Sequence, residues 1–246
     1  MAEGLKNLKL SGSARVSGGN FDEVRVSGSA HIDGDVVCDS MRISGSAHLN
    51  GAVKAGECKI SGAAHINGAL DARRVNISGS CDTGADLTAA DEISISGGVK
   101  IGGGMKAKAI KLSGGIKVNA GIECEEMEVS GAFTVKGLIN AGKLVVKLAG
   151  KSSADEIGGE EIIITRGNGV QPFNVFGVDI AALAGFRGTL TVNAVEGSFV
   201  RLENTAAKAV RGETVEIGAG CEIERVEYSG TLTVDEGAKV GERVKI

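Results

Sequence analysis

A chain of 246 residues with 39 glycines, one proline (Pro172), one tyrosine (Tyr228), no tryptophan and six phenylalanines excludes a core organised round large aromatic anchors. It calls instead for many small, similar layers of Val, Ile, Leu and Ala. Its 27 basic and 31 acidic residues leave a formal net charge of -4, which excludes a bulk electrostatic pull towards nucleic acid or anionic lipid.

The amino-terminal residues, MAEGLKNLKL, lack an apolar signal-peptide core. No stretch of about 18 apolar residues follows, so a cytoplasmic protein is expected. Five cysteines (Cys38, Cys58, Cys81, Cys124, Cys221) without a CxxC pair fit a reducing compartment better than a disulfide framework or a zinc site.

From residue 8 the chain repeats. An aliphatic residue followed by Ser-Gly recurs with serines at 11, 27, 44, 61, 78, 96, 113 and 130, about seventeen residues apart. Aligned blocks keep one chemical character at each position: Ala30, Ala47 and Ala64; Ile32, Leu49 and Ile66; Val36, Val53 and Leu70; Cys38, Ala55 and Ala72; Met41, Cys58 and Val75; Ile43, Ile60 and Ile77. Within a block these positions fall in pairs two apart, the alternation of a strand, and Asp-Gly, Asn-Gly or charged corners separate the pairs. The spacing predicts an all-β parallel β-helix with three short strands per rung. A helical repeat is disfavoured because glycine recurs in every block at a cost of about 1 kcal/mol each. Gly34, Gly51 and Gly68 are expected at corners with positive φ.

A weaker continuation carries the pattern to about residue 165, so residues 1–165 are taken as the regular β-helix. Residues 166–187 hold the only proline and Phe173, Phe176 and Phe186, and VFGVDIAALAGF within them reads as a short amphipathic helix. It would cap the stack or meet a partner subunit, a shallow membrane contact being less well supported. Residues 188–246 regain β character and read as a second, shorter β-helical segment.

The outward columns offer little chemistry. His31, His48 and His65 share one position, continued by Arg15, Asp82, Lys100, Lys117 and Thr134; a solvated stripe explains this better than a metal ladder. Lys9, Arg25, Arg42, Lys59 and Lys111 form a basic strip interrupted by Asn76, Ser94 and Glu128. The cysteines fall in columns of small apolar residues and read as core, Cys221 alone lying outside the clean repeat. The serine column has no partnered histidine or carboxylate, and no phosphate loop or carboxylate pair occurs. No catalytic, metal or cofactor site is expected.

A coil of stacked rungs has no lateral edges but presents backbone and apolar columns at its two ends, which must be capped or paired. Leu8 and Leu10 open the repeat, and Arg243-Val244-Lys245-Ile246 matches the phase of Val24-Arg25-Val26. Leu8, Leu10, Val244 and Ile246 are therefore the expected contacts with another copy, and stacking that does not close gives a filament.

The run of aliphatic-Ser-Gly blocks with glycine corners resembles the bactofilins, bacterial polymer-forming cytoskeletal proteins. The resemblance covers residues 8–165 well and the remainder loosely. It implies a right-handed three-sided β-helix that polymerises without nucleotide and scaffolds cell-shape, envelope or motility machinery near the inner face of the membrane. Its partners would be other copies of the chain, with envelope-synthesis or motility proteins. Two other readings are a hexapeptide-type β-helix enzyme, an acyltransferase or metal-dependent catalyst, and a monomeric envelope-binding module that uses the basic strip.

Overall fold

The computed structural model describes residues 6–167 and 188–246, together with the backbone of Asn174–Val175 and Val178–Asp179. The described residues are strand and connection throughout, with no helix, and build a parallel β-solenoid consistent with right-handed winding. The expected fold class is the one observed. Two compact units are present, Met1–Ala120 and Gly121–Ile246.

In unit 1 the register reproduces the sequence columns. Ser46–Leu49 lies between Ser29–Ile32 and Ala63–Ile66, pairing Ala30 with Ala47 with Ala64 and Ile32 with Leu49 with Ile66. Val53–Ile60 lies likewise between Val36–Ile43 and Leu70–Ile77. All of these inward residues are buried, from Ile32 and Ile60 at 0% exposure to Ala55 at 7%. Because each rung is one residue thick, an inward side chain packs mainly on the rungs above and below it; a rung has no core of its own.

The Ser-Gly corner has a steric origin. The serine N–H donates to the aliphatic carbonyl one rung below, as in Ser44 to Val26 and Ser61 to Ile43, each at 2.8 Å. This draws the next glycine onto the preceding corner, where a Cβ on Gly45, Gly62 or Gly79 would collide with the carbonyl oxygen of Gly28, Gly45 or Gly62. The other corner differs from expectation. Only Gly34 has positive φ, at 96°, whereas Gly51 and Gly68 are required because a Cβ would run into the backbone of Gly34 or of Gly51 and Ala52.

Unit 2 continues the plan with less regular rungs. Thr134 pairs with Ser153, Leu190 with Thr205 and Ala206 with Glu222, so the step between rungs varies. Lys151–Ile164 pairs directly with Thr189–Leu202, and residues 188–246 thus stack onto the strand that precedes the 166–187 segment. Within that segment Asn174–Val175 and Val178–Asp179 form an antiparallel pair, strand where a helix was expected.

The buried polar residues of the core, among those described, are Thr83, Ser152 and Thr205. Each is satisfied locally: Thr83 Oγ1 donates to the Ala85 carbonyl, Thr205 Oγ1 to the Glu203 carbonyl, and Ser152 Oγ accepts from the Phe133 amide. No buried side-chain polar atom among the described residues lacks a partner.

Candidate functional site

Apolar columns are less deeply buried at the first described strand of unit 1 and at the last strands of unit 2. In unit 1, Lys6–Leu10 pairs with Ser13–Val26, placing Leu8 beside Val24 and Leu10 beside Val26. Val24 and Val26 are 0% and 1% exposed, yet Leu8 and Leu10, in the same columns, are only half-buried. Ala14 and Val16 are half-buried too, whereas Ala30 and Ile32, their register partners, are buried.

In unit 2, Lys239–Lys245 pairs with Glu222–Val234. The register places Val244 beside Glu227, and the Ile246 amide donates to the Tyr228 carbonyl at 3.0 Å. The register puts both in the phase of Glu227 rather than of Val226; Val244 is half-buried and Ile246 is 67% exposed. The inward phase belongs to Arg243 and Lys245, beside Val226 and Tyr228, and to Val240 beside Ile223. Leu232 and Val234, which continue Val215 and Ile217, complete the half-buried apolar set. Matching residues 243–246 to Val24–Val26 places them one residue out of phase, because the irregular rungs of unit 2 cannot be counted from unit 1. Val240, Leu232 and Val234 carried a usable signal: each alternates with polar residues in VEYSGTLTVDEGAKV. Phe173, Phe176 and Phe186 lie outside the described residues.

The histidines form a continuous ladder. His31, His48 and His65 pair across adjacent strands, with ring centroids 4.9 Å apart at each step and interplanar angles of 13° and 16°. Arg15 precedes them in register; Asp82, Lys100 and Lys117 follow. Asp33 anchors one end: Arg15 donates to it through two nitrogens at 2.6 and 3.2 Å, and Asn50 Nδ2 donates at 2.6 Å. The Arg15 hydrogen bond, then that of Asn50, hold the Asp33 carboxyl down at about 2. No group of three or more His, Cys, Asp or Glu among the described residues is placed to hold a metal ion.

The basic strip exists as a column, Lys9, Arg25, Arg42 and Lys59 in register, but it is not a uniform cationic surface. Glu23 accepts hydrogen bonds from both Arg25 and Arg42 at 2.8 Å, Arg25 first among the causes that lower its carboxyl pKa. Burial pushes the thiols up, Cys38 to about 11 and Cys81 and Cys124 to about 12, and raises Cys58 and Cys221 as well. Cys221, with its Sγ 3.3 Å from the Leu202 carbonyl, is a core residue like Cys38, Cys58 and Cys81, whereas Cys124 is half-buried. These positions suit packing, and thiols so shifted are poor nucleophiles.

Two proteins of Bacillus subtilis (strain 168) are similar to this chain. YhbE is 39% identical over 113 residues, 46% of this chain and 44% of the relative. YhbF is 32% identical over 111 residues, 45% and 42% respectively. Both bear the description "uncharacterized", and the match spans under half the length of each. No family model and no solved structure matches. No helix among the described residues is long and apolar enough to cross a membrane.

Proposed function

We propose that this protein is a structural, self-assembling component of the bactofilin kind, acting in the cytoplasm by stacking copies end to end without nucleotide rather than by catalysis. One observation carries the reading: apolar columns that are buried inside each unit are only half-buried at Leu8 and Leu10 in unit 1 and at Leu232, Val234 and Val240 in unit 2. Covering them with another rung would bury apolar surface worth about 25 cal/mol per Å2 and extend the hydrogen-bonded ladder. Such assemblies would serve as scaffolds for envelope or motility proteins.

Negative-stain electron microscopy and sedimentation velocity of the nucleotide-free protein test this reading. Stacked assemblies that disperse on Leu8→Glu with Leu10→Glu are expected. Monomers at every protein concentration and salt would overturn it.

A further inference from the structure

The corner at Asp33 holds hydrogen bonds whose directions are set by their partners. Asn50 Nδ2 lies 2.6 Å from Asp33 Oδ1 and 3.0 Å from His31 Nε2, and Asn50 Oδ1 accepts from Asn67 Nδ2 at 3.1 Å. Only the NH2 side of an amide can face an ionised carboxylate at that distance, so Asn50 Nδ2 donates to both neighbours. His31 Nε2 is therefore a bare acceptor, and the neutral ring carries its hydrogen on Nδ1.

Asp33 Oδ1 also lies 3.4 Å from the same His31 nitrogen. A proton on Nε2 turns that acceptor into a charged donor. Two donors then face each other across the 3.0 Å contact with Asn50, while Asp33 gains a charge-assisted partner. Among the described residues, the other charged or titratable groups facing His31 are Arg15 on the strand before and His48 on the strand after, its ring stacked at 4.9 Å. Arg15 is engaged on Asp33 through two nitrogens, and Asp35, at the same corner, accepts from the Ala52 amide at 2.8 Å. Asp33 stays ionised through the mildly acidic range, its carboxyl held at about 2 first by Arg15 and then by Asn50.

We propose that His31 is a proton-operated latch on this corner: on protonation it displaces Asn50 from Asp33, and the Asp33–Asn50–Asn67 row of side chains loses its anchor. The latch is independent of the self-assembly reading above. The two other rings of the ladder lack the arrangement. His65 has Asp82 at 4.0 Å but no amide hydrogen bond, and His48 has neither among the described residues.

Imidazoles ordinarily change charge between about pH 5 and pH 8, so the test is nitrogen-15 NMR of the full chain across that range, in solution or under magic-angle spinning according to its state of association. At pH 8 His31 should show a bare Nε2. On acidification the Asn50 side-chain amide signals should shift with the same midpoint as the His31 ring. His31→Phe, which keeps a stacked ring and removes both nitrogens, should abolish the Asn50 shift, whereas His48→Phe should leave it. Asn50→Ala, an independent second variant, should move the hydrogen of neutral His31 from Nδ1 to Nε2, where it meets Asp33. A hydrogen on His31 Nε2 of the wild type at pH 8, an Asn50 amide indifferent to pH, or an Asn50 response that survives His31→Phe or is lost in His48→Phe overturns the latch. So does a His31 that keeps its Nδ1 hydrogen in Asn50→Ala. None of these results bears on self-assembly.

Discussion

The carbonyl oxygen of Gly28 occupies the space into which a side chain on Gly45 would project. The same contact recurs between Gly45 and Gly62 and between Gly62 and Gly79, so the repeated Ser-Gly marks where successive corners touch. The requirement is for close approach, since none of these glycines has positive φ.

Gly45→Ala is therefore expected to destabilise unit 1 by about 1–3 kcal/mol, the range for overpacking a well-filled site. Gly115 has nothing within 4 Å of where its Cβ would stand. Gly115→Ala should cost far less. Urea unfolding of the two variants side by side checks this; equal midpoints would contradict the steric account.

Core columns depend on the rungs on both sides. Ile60, 0% exposed and in register with Ile43 and Ile77, should cost about 2–5 kcal/mol on replacement by alanine. Val37, 44% exposed in the same sheet, should tolerate Val37→Thr within about 0.5 kcal/mol. Thermal and urea unfolding of both variants provide the comparison.

Asp33 gives a pH dependence of defined sign. Its carboxyl is held at about 2, first by Arg15, below the ordinary carboxylate value of 3.8. A depressed carboxyl contributes stability that is present above its unfolded pKa and lost as pH falls through the folded value. Stability should therefore fall between about pH 4 and pH 2 more steeply in the wild type than in Asp33→Asn, with the difference reduced in salt because the pair is exposed. Matched urea titrations from pH 5 to pH 2 would show it.

The thiols should be inert in the folded protein. With Cys38 raised to about 11 and Cys81 to about 12 by burial, almost no thiolate exists at pH 8. Iodoacetamide followed by intact-mass measurement should find both unmodified until denaturant is added. Modification of either at the rate of a free cysteine would show that the coil opens locally.

The 17-residue period was visible in the sequence because each rung repeats the same packing problem in unit 1, and Ile32, Leu49 and Ile66 answer it with residues of the same size and shape. The His31–His48–His65 ladder was legible for the same reason, equal spacing becoming direct register. In unit 2 the spacing lost this power, since a rung can shorten or lengthen at its corners without disturbing the inward columns. Leu190 can thus meet Thr205, and Lys151 can meet Thr189, at separations that counting a fixed period does not give.

The sequence by itself determined the β-helical plan, the inward columns of unit 1 and the burial of Cys38, Cys58 and Cys81 within them, because parallel stacking turns periodicity into contact. Only the tertiary structure decided which residues stand in inward phase on the last strand of unit 2. A shift of one residue exchanges the two faces of a strand, and that shift puts Arg243 and Lys245 in register with Val226 and Tyr228, and Val244 in register with Glu227.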